Sequence, residues 1–371
     1  MKLSSRRWLS VGLLVCGALV AGTAGVGAAA PGTVSEFTVP TFGSDPLGIA
    51  AGPGNTLWVA DSNDFDVRKV ERFSVDGSMT GGFNVPGGAS IDCPQGCVDP
   101  AGILFGPDSK LWFTELTQAA NAIAKLDPNL SPGPPDSAVA AFPVPTDAVN
   151  PWAITRGSDG NLWFTENVID GKVGRITPAG TITEFSTGSR GSIPFGITSG
   201  PDGNLWFTEQ TDGQGGVGVM TTAGAVVAEI PVPGTGQDLS GITTGSDHNV
   251  WFAEQTASSL GRINGSTRAY LGAVADDGAG PQSITTGPDG LLYFTEANSS
   301  SVGRIDPRTP PAKVTSHFST PTPGAIDPLG PPTGITTGPD GNIWFTEGSP
   351  KAGGINPSPI HNIGRLTLPP A

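Results

Sequence analysis

Apolar positions in this chain come in short bursts, and Gly, Pro, Asn and Asp punctuate them. The most regular burst lies in the phrase Gly-Pro-Asp-Gly-Asn-Leu-Trp-Phe-Thr-Glu, present in full at residues 200–209. Variants occupy residues 52–61, 106–115, 157–166, 245–254, 287–296 and 338–347, so seven copies start 54, 51, 43, 45, 42 and 51 residues apart. A period in the forties marks a repeat array with one supersecondary unit per period. Asp-Gly supplies the positive φ that a tight hairpin turn needs, so each phrase predicts a turn and then a strand. Outside the N-terminus no stretch has the apolar spacing of a helix.

The third unit shows the whole pattern. Short apolar runs at residues 152–155, 162–166, 173–176 and 181–185 predict a four-stranded meander. Runs such as Leu-Trp-Phe are apolar at successive positions, so both faces of the strand are expected to be buried. Four-stranded sheets covered on both sides by copies of themselves give a β-propeller. The predicted fold is therefore all-β, a seven-bladed β-propeller over residues 33–371, with the Pro-x-Gly-Ile strands lining the central channel. The seventh unit runs out after its third strand at residues 363–366, while residues 34–39 resemble a fourth strand. The N-terminal strand is expected to complete the last blade and remove the open sheet edges.

The first 30 residues read as a secretory signal: Lys2, Arg6 and Arg7, then an apolar run at 9–20, then small residues to Ala30. The run is too short for a comfortable membrane span, so the mature chain is expected to lack a transmembrane segment and to be secreted. Without those residues the chain keeps 16 Lys+Arg against 33 Asp+Glu, a net charge of −17. That balance argues against nucleic acid and anionic membranes as partners, and the mature protein is expected to be a monomer. Cys93 and Cys97, close together on a Pro/Gly loop of an exported chain, are expected to form a local disulfide.

Candidate chemistry sits where strand direction gathers it. Each second strand ends in an acid (Asp61, Glu115, Glu166, Glu209, Glu254, Glu296, Glu347), all on the face from which the first strands start. Such a ring could hold a divalent cation through oxygen ligands, with Glu209, Glu296 and Glu347 as the metal candidates. An architectural alternative pairs Glu166 with Val173 and Phe164 with Arg175, so that Arg175 reaches Glu166 diagonally. Arg262, Arg304 and Arg365 would repeat that ion pair, and Val219 would leave Glu209 without it. The variable entry position of each blade reads Leu47, Ala101, Trp152, Phe195, Ser240, Gln282 and Thr333. Trp152, Phe195 and Ser240 are the candidate ligand-binding residues of a channel mouth suited to a small molecule or peptide, with channel packing as the alternative. His248 sits in a turn, His317 in an outer strand and His361 in a loop. The sequence contains no nucleophile elbow, phosphate-binding glycine loop or paired-histidine metal motif.

The phrases Gly-Ile-Thr-x-Gly-Pro-Asp-Gly-Asn-Leu-Trp-Phe-Thr-Glu and Ile/Val-Gly-Arg-Ile/Leu resemble the virginiamycin B lyase (streptogramin lyase) family, over residues 33–366. The resemblance implies a seven-bladed propeller and a carbon–oxygen lyase that opens the lactone of type B streptogramins by Mg²⁺-dependent elimination. It also implies that the catalytic positions are Gln282 and Thr333, where the family has histidines, and Glu347, which matches a metal-binding carboxylate. Amide and hydroxyl side chains do not titrate near neutrality. Two classes therefore follow: a metal-assisted lyase on the carboxylate face, or a non-catalytic extracellular propeller that binds a ligand or protein.

Overall fold

The computed structural model describes residues 29–41, 44–62, 69–85, 99–116, 121–130, 138–147, 149–210, 215–234, 238–326, 334–348 and 361–370. Cys93, Cys97, Thr333 and most of the N-terminal segment lie outside them. Every regular element in the described residues is a strand, and the strands form seven antiparallel four-stranded sheets. Blades one to six span residues 46–84, 99–143, 151–186, 193–231, 239–275 and 281–319. Blade seven joins Ile335–Thr337, Ile343–Glu347 and Asn362–Leu366 to the N-terminal strand Val34–Thr38, with Val34 opposite Leu366 and Thr38 opposite Asn362. The ring is closed between its two ends, as the strand count predicts. No helix among the described residues is long and apolar enough to cross a membrane.

The repeated phrase explains each blade's packing. In blade three, Leu162, Trp163 and Phe164 are fully buried. Phe164 packs toward blade two with Trp112, and Trp163 packs toward blade four with Leu205 and Phe207. The turn before them serves the same strand. Gly160 adopts φ 76°, and the Asp159 carboxylate accepts hydrogen bonds from the Asn161 amide (3.1 Å) and the Trp163 indole (3.2 Å). Asp108, Asp202, Asp247 and Asp340 each accept from their own blade's Trp in the same way, and Asp289 accepts from the Tyr293 hydroxyl. The carboxylate thus satisfies a buried indole that would otherwise lose its water.

The register between second and third strands differs from the sequence expectation by one residue. Thr165, not Glu166, lies opposite Val173, and Trp163, not Phe164, lies opposite Arg175. A one-residue slip sends every side chain to the other face. Arg175 therefore stacks 5.7 Å from the Trp163 centroid and 5.4 Å from that of Phe185, and the predicted Arg175–Glu166 ion pair is replaced by a cation–π contact. Arg262 lies over Trp251, and Arg365 over Trp344 and Phe37; Arg304 lies over Phe318. Phe164 instead covers Gly174, where a β-carbon would meet the ring at 2.1 Å. That close approach is why the third strand reads Val-Gly-Arg-Ile.

Candidate functional site: the channel mouth and the carboxylate ring

Seven first strands converge on the axis, and the Thr of each Phe-Thr-Glu fixes how they meet. Thr114 Oγ1 accepts from the Gly102 amide (2.9 Å) in its own blade and donates to the Trp152 carbonyl (2.8 Å) in the next. Thr165 and Thr208 bond likewise to the carbonyls of Phe195 and Ser240, and Thr346 to that of Leu47, closing the ring. Leu47, Trp152, Phe195 and Ser240 at the variable position are thus held by their backbones, which leaves their side chains free to differ. The glycines that follow are required by crowding: a β-carbon at Gly102 would lie 2.5 Å from the Trp152 carbonyl oxygen.

The mouth so formed is a cavity of about 140 Å³, lined by Leu47, Ala101, Trp152, Phe195 and Ser283 and by glycine backbone. Trp152 and Phe195 are half-buried, with ring centroids 5.2 Å apart and planes tilted by 44°. These two sequence candidates are brought together. Ser240 is not on the wall: it is buried, and its hydroxyl donates to the Gln282 carbonyl at 2.7 Å. Gln282 is fully buried beside it. No titratable side chain is among the described residues lining the mouth.

The carboxylates do not line the channel either. In blades one to six the acid pairs with the residue that precedes the variable position, as Glu166 with Pro151 and Glu209 with Pro194. All seven side chains are buried. Glu209 accepts from Ser192 (2.8 Å), and Asp61 from Ser44 (2.9 Å). Across the third-strand glycine stands a second acid in several blades: Glu184 opposite Gly174, Glu229 opposite Gly218 and Glu36 opposite Gly364. These partners were not singled out in the sequence because they lie on the less regular fourth strands.

Burial, in some blades with such a neighbour, moves several of the acids toward neutrality. Burial alone raises Glu115 to about 8, and burial with Glu184 beside it raises Glu166 to about 8. Burial, then the Glu36 carboxylate, raises Glu347 to about 8. Both Glu347 oxygens are enclosed, and the mouth cavity does not reach them. Mg²⁺ keeps several waters of its shell when it binds, which an enclosed carboxylate does not accommodate. Glu209, Glu296 and Glu347 belong to three different blades. Among the described residues one group of potential ligands does converge, and it joins Glu296 to Asp276 and His317. The other histidines stand apart: His248 takes φ 59° in its turn, and the His361 carbonyl accepts from the Val39 amide.

The profile of the Virginiamycin B lyase family matches residues 89–325 and 225–358, most of the chain. The chain belongs to the virginiamycin B lyase family. No curated protein matches it by sequence. Among solved structures it is similar to the virginiamycin B lyase from Staphylococcus aureus, with 26% identity and a TM-score of 0.72 over 91% of this chain and 99% of that one. A streptogramin B lyase structure aligns at 28% identity and a TM-score of 0.71, over 91% and 97%. A catalytically inactive histidine-to-alanine variant of the Staphylococcus aureus lyase, solved with quinupristin, aligns with the same 0.72 and 26%. The family's propeller is thus reproduced here around a mouth whose described wall is mainly apolar.

Proposed function

We propose that this member of the virginiamycin B lyase family is an exported ligand-binding propeller whose mouth takes up an aromatic or aliphatic group of a small molecule or peptide, without performing proton transfer. The observation that carries the reading is the wall of the mouth: Trp152, Phe195, Leu47 and Ala101, with no acid or base among the described lining residues. An apolar protein cavity of about 150 Å³ takes up benzene, so a volume of about 140 Å³ suits one ring. Elimination needs a group that accepts a proton near neutrality. Gln282 supplies none, and Glu347 is enclosed away from the mouth.

Trp152 provides the test, because the other described tryptophans are at most 1% exposed. Iodide should quench its fluorescence, and quinupristin or a simple aromatic amide should protect it. Trp152→Ala and Phe195→Ala should each weaken binding by roughly tenfold, as loss of an aromatic anchor does. The same mixtures, followed by chromatography, should show quinupristin with its ring intact. Catalysed ring opening that is lost in Glu347→Gln would replace this reading with the lyase reading.

A further inference from the structure

The boundary between blades five and six departs from the repeat at two positions that meet in space. The residue after each fourth strand is Val39, Val85, Val144 or Val232 in four blades and Thr187 or Thr320 in two. Its amide bonds to the carbonyl of the residue before the third strand, as Val144 to Asn121 (2.9 Å) and Val232 to Gly215 (3.1 Å). Asp276 holds the same place, its amide on the Ser258 carbonyl at 2.8 Å. Its side chain is fully buried, and neither carboxyl oxygen has a hydrogen-bond donor. The second departure is His317, opposite Gly303, where other blades have Glu36, Glu184 and Glu229 or Ala141 and Ala273. Packing alone asks for neither substitution, since Val and Ala serve elsewhere.

The two side chains converge on Glu296. His317 Nδ1 lies 2.7 Å from Glu296 Oε1 and 4.0 Å from Asp276 Oδ1. The other Glu296 oxygen is held by the hydroxyls of Ser301 and Ser299, which fixes the direction of Oε1. A tetrahedral ion with bonds near 2.1 Å sets its ligand atoms about 3.4 Å apart, a value that the two measured separations bracket. The His317 side chain is 41% exposed, which gives an ion a way in and leaves room for water as a further ligand.

We propose that Asp276, Glu296 and His317 form a binding site for a divalent transition-metal ion, with Zn²⁺ as the representative, which fastens the linker leaving blade five to the second and fourth strands of blade six. One imidazole with two carboxylates selects this class over Mg²⁺ and Ca²⁺, which prefer oxygen alone. The ion would also supply the positive charge that the buried Asp276 carboxyl lacks. The site lies at the outer strands, away from the channel mouth.

The test is calorimetric titration of the chelator-treated protein with Zn²⁺, alongside melting curves with Zn²⁺ or with chelator. Asp276→Val and His317→Ala each install a residue that other blades carry at the same place, so both variants are expected to fold. Wild type should bind one Zn²⁺ and melt higher with it, and each variant should lose affinity by roughly tenfold or more. In chelator Asp276→Val should melt no lower than wild type, which separates loss of the ion from loss of packing. Absence of one-to-one binding in wild type, or undiminished binding in both folded variants, would overturn the proposal.

Discussion

Glu115 isolates the effect of burial on one side chain, because burial is the cause that raises it to about 8. Below the ordinary glutamate range, both folded and unfolded chains hold the proton. Between about 4.5 and 8 the folded chain keeps a proton that the unfolded chain has released, so stability falls as pH rises through that window. Above the folded value the contribution is gone. Glu115→Gln keeps the shape and removes the titration. Relative to wild type it should gain stability at about pH 9 over about pH 5, by on the order of 2–5 kcal/mol. Urea melts at the two pH values measure this directly, and an identical pH dependence in both proteins would show that Glu115 is solvated. Glu166 and Glu347 are raised to about 8 as well, so each of these buried acids is tolerated in its neutral form.

Within one hairpin, the Asp of the turn and the Trp of the strand form a unit. Asp159→Ala should leave the Trp163 N–H buried without an acceptor, at a cost of about 1–3 kcal/mol. A melting temperature unchanged from wild type would show that water replaces the carboxylate. Turns and strands of this kind were legible in the sequence because the phrase recurs and its glycine marks a positive φ. The pairing offset was not. A strand reading Leu-Trp-Phe is buried on both faces, so no polar face pins its register, and the alignments with Trp163 or Phe164 opposite Arg175 look alike. The aromatic pair at the mouth was legible because Trp152 and Phe195 differ from their counterparts at an otherwise regular position. Asp276 was missed for the converse reason. Its contrast with Val39, Val85, Val144 and Val232 emerges only when the ends of the fourth strands are aligned, and those strands share little sequence.

Across the whole molecule the last blade depends on both ends of the chain. Glu36 accepts from the Thr322 amide (2.7 Å) and hydroxyl (2.6 Å), and Thr346 bonds to the Leu47 carbonyl, so the first and last units share polar as well as ladder contacts. Deleting residues 34–40 should expose the edge of Asn362–Leu366 and lower the melting temperature well below that of a variant trimmed at residues 369–371. Equal melting of the two would mean that the ring holds without its closing strand. During synthesis the same pairing acts as a clock. Val34–Thr38 leaves the ribosome early, but its hydrogen-bonding partner is made some three hundred residues later. Six blades can form in turn from neighbouring hairpins while this strand waits, and its open edge is available to any other unpaired strand meanwhile. The step most exposed to misassembly is therefore the last one, when the end of the chain has to find its beginning.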